Sequence, residues 1–131
     1  AQLWWRPAVG MNSIGNLLLH LSGNIRQWII CGVGGNEDRR QRQQEFDARD
    51  SLPKNELLQQ LDETLDEAIQ ILRTADHDDM LSERRVQEFD VTGWGAVFDS
   101  VSHFQGHTQE IISLTRVQKA ESYVFWWEPS S

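Results

Sequence analysis

Apolar residues recur at spacings of three and four in three long segments of the chain, which is the period of amphipathic helices. The first segment predicts a helix over residues 12–31, followed by a glycine-rich stretch that ends it. The second predicts a helix over 53–74, with Pro53 suited to a first-turn position. The third predicts a helix over 92–119, with Thr92 as its N-cap. The pattern therefore indicates an all-α fold.

Each predicted helix carries one apolar stripe that we expect to face the core. Between Pro7 and Asn36 the only formally charged residue is Arg26, so we expect the first helix to be buried on most sides. The expected inner positions are Ile14, Leu18, Leu21, Ile25, Trp28 and Ile29 in the first helix; Leu57, Leu58, Leu61, Leu65, Ile69 and Leu72 in the second; and Trp94, Val97, Val101, Phe104, Thr108, Ile111 and Ile112 in the third.

The segments between the helices are long and polar. Residues 36–52 mix both charge signs and predict a surface crossover, and residues 76–91 predict an irregular connection with a short extended piece at 86–91. Residues 3–9 are expected to be extended, and the aromatic end, residues 123–131, is expected to pack back on the helices.

Three helices with so much apolar surface are too few to cover one another, and the long connections permit crossovers. We therefore expect residues 1–131 to form a single domain of the four-helix-bundle type. Its remaining helix is expected to precede Ala1 in a longer natural chain or to come from a partner subunit.

Charge and cysteine content narrow the possible partners and location. The formal charge of −8 among 131 residues disfavours nucleic-acid binding. The apolar stretch over 14–33 is long enough to span a membrane, but its polar residues, including Asn16 and Arg26, favour a buried core helix instead. The single cysteine, Cys31, cannot form an internal disulfide, and no secretory signal is visible. A cytoplasmic protein with Cys31 as a small buried hydrophobe is the expectation.

Three of the four histidines are placed where they can share a metal ion. His103 and His107 are four residues apart on a predicted helix, so their rings lie on one face. His20 lies on the flank of the first helix, beside uncharged polar residues that suit a half-buried site. Three imidazoles are a common complement of metal sites that keep a position open for water or substrate. Spacing and burial leave two interpretations open, a metal site or core histidines, whereas His77 is expected in a solvated loop.

Three stretches resemble the DinB-like (DinB/YfiT-like) family, and the resemblance extends over nearly the whole chain. They are the segments 12–21, 39–46 and 102–112, which contain Asn-Ser-Ile-Gly-Asn-Leu-Leu-Leu-His, Arg-Arg-Gln-Arg-Gln-Gln-Glu-Phe and His-Phe-Gln-Gly-His. The resemblance implies a four-helix bundle, often a homodimer, whose first helix precedes Ala1. It also implies a divalent metal, with Zn or Ni favoured, held by His20, His103 and His107.

The function implied is a metal-dependent enzyme of the hydrolase or thiol S-transferase type that acts on a small-molecule substrate. A transferase would also use a low-molecular-weight thiol. The alternative is a non-catalytic metal-binding protein, stress-associated and structural or binding in role, in which the metal ties two helices together. A pocket lined by Phe104, Trp94 and the aromatic end would favour an apolar organic substrate.

Two charged groups near the histidines have both a functional and an ordinary interpretation. Glu110 departs from the family pattern and lies three residues after His107, where it can orient that imidazole or act as a general base. It can equally be an exposed helix carboxylate. The arginines Arg39, Arg40 and Arg42 can form a lid that binds a substrate carboxylate, or can be solvated surface held by local ion pairs.

Overall fold

The computed structural model describes residues 2–124 and is mostly helical, as the apolar periodicity predicted. Three long helical segments dominate the described part of the chain, so the fourth helix of the expected bundle stays a prediction. The elements are α1 (Ile14–Ile25), which continues as a π-helix (Arg26–Cys31), α2 (Arg42–Asp47), α3 (Lys54–Thr74), α4 (His77–Leu81), the strands β1 (Glu83–Val86) and β2 (Phe89–Thr92), and α5 (Gly93–Lys119). Short 3-10 turns lie at Gln2–Trp4 and Ala120–Ser122.

Helix α1 is central, because it contacts α2, α3 and α5. It begins with a capping box in which the Ser13 hydroxyl accepts from the Asn16 backbone N–H and the Asn16 side chain accepts from the Ser13 backbone N–H. Residues on all sides of α1 are buried, which confirms the expectation drawn from its lack of charge. Its apolar side chains form a core with those of α3, with Leu57 and Leu61 among the partners.

The predicted inner face of α3 was partly wrong. The buried positions are Leu57, Leu61, Thr64 and Ala68, whereas Leu58 and Ile69 are exposed. Thr64 tolerates burial because its hydroxyl donates to the Gln60 carbonyl, 2.8 Å away. Besides the two predicted leucines, the buried stripe thus includes Thr64 and Ala68, which a ranking by hydrophobicity passes over.

The predicted inner face of α5 was also partly wrong, although its N-cap, Thr92, is confirmed. Trp94 is 50% exposed and Val101 57% exposed, whereas Ala96 and Ser100 are buried. Small residues serve here because α5 lies close to α1, where the Ser100 hydroxyl donates to Asn24 Oδ1 at 3.0 Å. Further along α5, Phe104 and Ile111 pack against the core as predicted.

The connections hold more structure than the sequence indicated. The predicted surface crossover contains α2, and Glu45 on that helix is buried. The second connection contains α4 and an antiparallel hairpin in which Glu83 pairs with Thr92 and Val86 with Phe89. The two turn residues, Gln87 and Glu88, have positive φ angles, which suits the twist of a two-residue hairpin.

Near the amino end the Gln2–Trp4 turn replaces part of the predicted extended segment. Trp4 packs on the core, and its indole N–H donates to the Leu52 carbonyl at 3.2 Å. The expectation that the aromatic end packs back concerns mainly residues 125–131, which lie outside the described residues. Within residues 2–124 no helix combines the length and the apolar character needed to cross a bilayer.

Candidate metal centre

Three imidazoles, from α1 and from two adjacent turns of α5, converge on one point. His103 Nε2 lies 2.9 Å from His20 Nε2 and 3.1 Å from His107 Nε2. One ligand nitrogen from each of the three rings lies within 4.8 Å of the others. His77 does not join them, because it is exposed on α4 with its ring 6.1 Å from Trp94. The structure therefore brings together the three histidines that the sequence singled out and leaves the fourth apart.

The separations of the ring nitrogens fit a shared metal ion. A Zn²⁺ ion bound tetrahedrally at 2.0–2.1 Å holds its nitrogen ligands about 3.3 Å apart. Two of the Nε2 separations are within a few tenths of an ångström of that value. The cluster can thus hold a divalent metal, with the remaining pair of ligand nitrogens within 4.8 Å of each other.

Two carboxylates fix which nitrogen of each flanking ring carries the proton. Glu45 Oε2 lies 2.9 Å from His20 Nδ1, and Glu110 Oε2 lies 2.8 Å from His107 Nδ1. An ionised carboxylate only accepts, so each Nδ1 donates and each Nε2 keeps its lone pair for a metal. This carboxylate–histidine arrangement is the usual support of metal-bound imidazoles.

His103 is held in the neutral form by its surroundings. Burial lowers the pKa of His103, and Coulombic interactions with His107, His20, Arg40 and Arg42, which disfavour protonation of His103, lower it further, to about 4. Its Nδ1 is buried, and no described residue offers it a hydrogen bond. Its ring is therefore neutral, as a metal-binding imidazole must be.

Glu45 is the residue that the sequence interpretation missed. It was placed in a solvated crossover, yet its side chain is 10% exposed and accepts from Arg40 Nε at 2.7 Å and Arg40 Nη2 at 2.9 Å. Burial alone raises the pKa of Glu45, but hydrogen bonds from Arg40 and His20 outweigh it and lower the pKa below its usual value. Glu45 is thus ionised and accepts from His20 Nδ1. Arg40 Nη2 also lies 3.1 Å from His20 Nδ1, but both nitrogens donate to the Glu45 carboxylate.

The three arginines of the expected lid have separate surroundings. Arg39 is exposed and pairs with Glu37, as the solvated-surface interpretation holds. The Arg40 side chain is buried between Glu45 and Gln27, whose side-chain oxygen Oε1 accepts from Arg40 Nη1 at 2.8 Å. Arg42 stands with its guanidinium carbon 4.9 Å from the centre of the Phe46 ring. Of the three, Arg40 supports a histidine.

The uncharged polar residues of α1 hold the elements that carry the site. Asn16 is fully buried, and its amide nitrogen donates to the carbonyls of Glu45, at 2.8 Å, and Ala48, at 3.0 Å. One turn beyond His20, Asn24 accepts from Ser100 on α5. These bonds hold α2 and α5 against α1 beside the histidines.

Gly23 in the middle of α1 leaves room for the Glu45 carboxylate. A Cβ at this position would overlap Glu45 Oε1 and come within 3.0 Å of Arg40 Nε. We expect Gly23→Ala to displace Glu45 from His20 and weaken zinc affinity about tenfold, the usual cost of losing a supporting carboxylate. Competition with a chromophoric chelator measures this affinity.

The matched control is Gly106→Ala, a glycine in α5 next to His107. A Cβ there meets nothing within 4 Å, so zinc affinity should stay at the parental value. The new alanine should raise the free energy of unfolding by about 1 kcal/mol, from helix propensity alone. Equal zinc affinities of the two alanine variants would contradict the role given to Gly23.

A cleft of about 290 Å³ opens beside the cluster. Its aromatic wall is Trp28, from the π-helix, rather than the predicted Phe104 and Trp94. Phe104 packs in the core, and Trp94 lines a separate groove. The residues that line the cleft are His20, Asn24, Trp28, Arg40, Arg42, Gln87, Asp99 and His103.

Comparison with protein families gives a match over nearly the whole chain. A family model described as "Protein of unknown function (DUF1572)" matches residues 1–127, which is nearly the whole chain. No curated protein and no solved structure matches the chain significantly.

Proposed function

We propose that this chain, which belongs to the DUF1572 family, is a metal-dependent enzyme whose divalent ion is held by His20, His103 and His107. The convergence of three Nε2 atoms carries this proposal. Three protein ligands leave at least one position open, as catalytic metal sites do, and the cleft lies beside two of the ligands. The family description assigns no activity, so the argument rests on the geometry of the site.

The chain's own residues hold and orient the metal ligands. When bound, Zn²⁺ or Ni²⁺ supplies a Lewis acid that polarises an electrophile or activates a nucleophile. Glu45 and Arg40 hold the His20 ring from the buried side, and Glu110 holds the His107 ring from the more exposed side. Water or a low-molecular-weight thiol can serve as nucleophile in such a site, which gives a hydrolase or a thiol S-transferase.

Glu110 has two roles that one substitution separates. Glu110→Gln is expected to weaken zinc affinity about tenfold or more, because the neutral amide is a poorer acceptor for His107 Nδ1–H. The control is Glu63→Gln, an exposed carboxylate on α3 that accepts from Gln59 at 2.8 Å. A lower kcat at full metal occupancy with unchanged affinity would instead make Glu110 a general base. Unchanged affinity and kcat would make it an ordinary exposed carboxylate.

Two chromogenic reactions test the enzyme proposal. Zinc- or nickel-loaded protein is incubated with p-nitrophenyl acetate, or with 1-chloro-2,4-dinitrobenzene and 2-mercaptoethanol. We expect one of the two reactions to run faster with loaded protein than with His103→Ala or with free metal. If fully loaded protein accelerates neither reaction, the non-catalytic alternative replaces the enzyme proposal.

That alternative is a metal-binding, stress-associated structural or binding protein. It is favoured by the origin of the ligands on two helices, since a metal bridging His20 on α1 and His103 on α5 would add directly to folding stability. A fourth protein ligand in the metal-loaded protein would support it, and an exchangeable ligand would favour the enzyme.

The remaining expectations stay proposals. They are membership of the DinB-like family, a bundle of four helices, a homodimer and a cytoplasmic location. The exposed face of α5 at Trp94 and Val101 does not by itself assign a partner.

A further inference from the structure

Two side chains of opposite charge, Arg42 and Asp99, line the cleft beside the histidines. Both residues are exposed, and within the described residues neither side chain forms an ion pair or a hydrogen bond, although Arg42 contacts the Phe46 ring. The arginine next to the cleft's buried end, Arg40, is by contrast fully engaged by Glu45 and Gln27. The cleft therefore presents two opposite charges to a ligand.

Both charges are held near the metal cluster. The Arg42 guanidinium stands over the Phe46 ring, whose centre is 4.8 Å from that of the His20 ring. Asp99 precedes His103 by one turn of α5, so the two side chains lie on the same helix face. The charges thus come from two different elements, α2 and α5.

Part of the cleft wall is fixed by hydrogen bonds. The Trp28 indole is buried and donates to Gln87 Oε1 at 3.3 Å, which joins the π-helix to the hairpin turn. Asn24 is held by Ser100. The volume of about 290 Å³ is at the lower limit of ligand pockets, so the cleft suits a small molecule.

We infer that the cleft binds a small zwitterion, with its carboxylate on Arg42 and its ammonium group on Asp99. The planar guanidinium suits a carboxylate, and a ligand with both charges satisfies both residues at once. A simple anion would be repelled by Asp99, and a simple cation would be repelled by Arg42. This inference rests on the proposed function, since the metal ligands His20 and His103 line the same cleft.

A series of ω-amino acids with one to five methylene groups tests the inference. Binding to zinc-loaded protein is followed at the Trp28 indole N–H by NMR titration, against the alkylamine and the carboxylic acid of equal length. We expect one chain length to bind about tenfold more tightly than its matched amine and acid, the effect of one added charge-assisted contact. Asp99→Asn and Arg42→Gln should each remove that advantage.

Two control variants have the same charge changes outside the cleft. Arg39→Gln and Asp62→Asn should keep the parental preference, since these residues, although equally exposed, do not line the cleft. Equal binding of zwitterion, amine and acid, or parental binding by Asp99→Asn and Arg42→Gln, would overturn the inference. Elemental analysis of the same samples separates the failure of this inference from the failure of the proposed function. Protein that holds one metal per chain but shows no preference for the zwitterion overturns only this inference. Absence of metal overturns the proposed function, while titration of the metal-free chain still tests the two charges.

Discussion

Replacing His103 with alanine is expected to remove stoichiometric divalent metal from the protein. His103 Nε2 lies between the other two ligand nitrogens, at 2.9 and 3.1 Å, so its loss leaves two imidazoles that no third described ligand completes. Protein is loaded with one equivalent of Zn²⁺, desalted and measured by elemental analysis. We expect close to one zinc per chain for the parent and near zero for the variant, and the same loss for His107→Ala.

The matched control is His77→Ala, which removes an exposed imidazole outside the cluster. It should retain the parental zinc content, and circular dichroism should show that all three variants remain helical. Zinc retained by His103→Ala, or lost from His77→Ala, would mean that the wrong histidines have been assigned.

The second large effect is expected at Glu45. Glu45→Ala leaves the Arg40 guanidinium, whose side chain is 5% exposed, as a buried charge without its carboxylate. Removing one partner of a buried ion pair costs about 3–5 kcal/mol in the free energy of unfolding. Denaturant unfolding in the presence of a chelator measures this cost without a contribution from metal binding.

The control for Glu45 is an exposed ion pair between the π-helix and α3. Glu67, which pairs with Arg26, has a side chain 42% exposed against 50% for its partner, and Glu67→Ala should cost about 1 kcal/mol at most. Arg40→Met combined with Glu45→Ala should cost less than Glu45→Ala alone, because the unpaired charge is then gone. A Glu45→Ala cost no larger than that of Glu67→Ala would contradict the role of this buried pair.

The long helices and the spacing of the histidines could be predicted from the sequence because both depend on local periodicity. The N-cap at Thr92 follows from the residue before the apolar pattern, and the pairing of His103 with His107 follows from one helical turn. We expected His20 to lie beside His103 and His107 from its position on the flank of the first helix and from the resemblance. In the structure the centre of its ring is 4.7 Å from that of His103.

The support of His20 could not be predicted because it depends on contacts between distant segments. Glu45 lies in a run of mixed charges that reads as surface, and its burial requires Arg40, Asn16 and the space left by Gly23. The one local signal was a glycine in the middle of a helix with almost no charge, where alanine would favour the helix. The inner faces of α3 and α5 were misjudged for a similar reason, since close approach selects small residues such as Ala96 and Ser100.

The most direct test of the metal centre is diffraction from crystals of the zinc-loaded protein, with data collected on both sides of the zinc absorption edge. A single anomalous peak is expected at about 2.0–2.1 Å from Nε2 of His20, His103 and His107. A zinc peak bound elsewhere on the chain, or one within reach of only two of these nitrogens, would contradict the three-histidine centre.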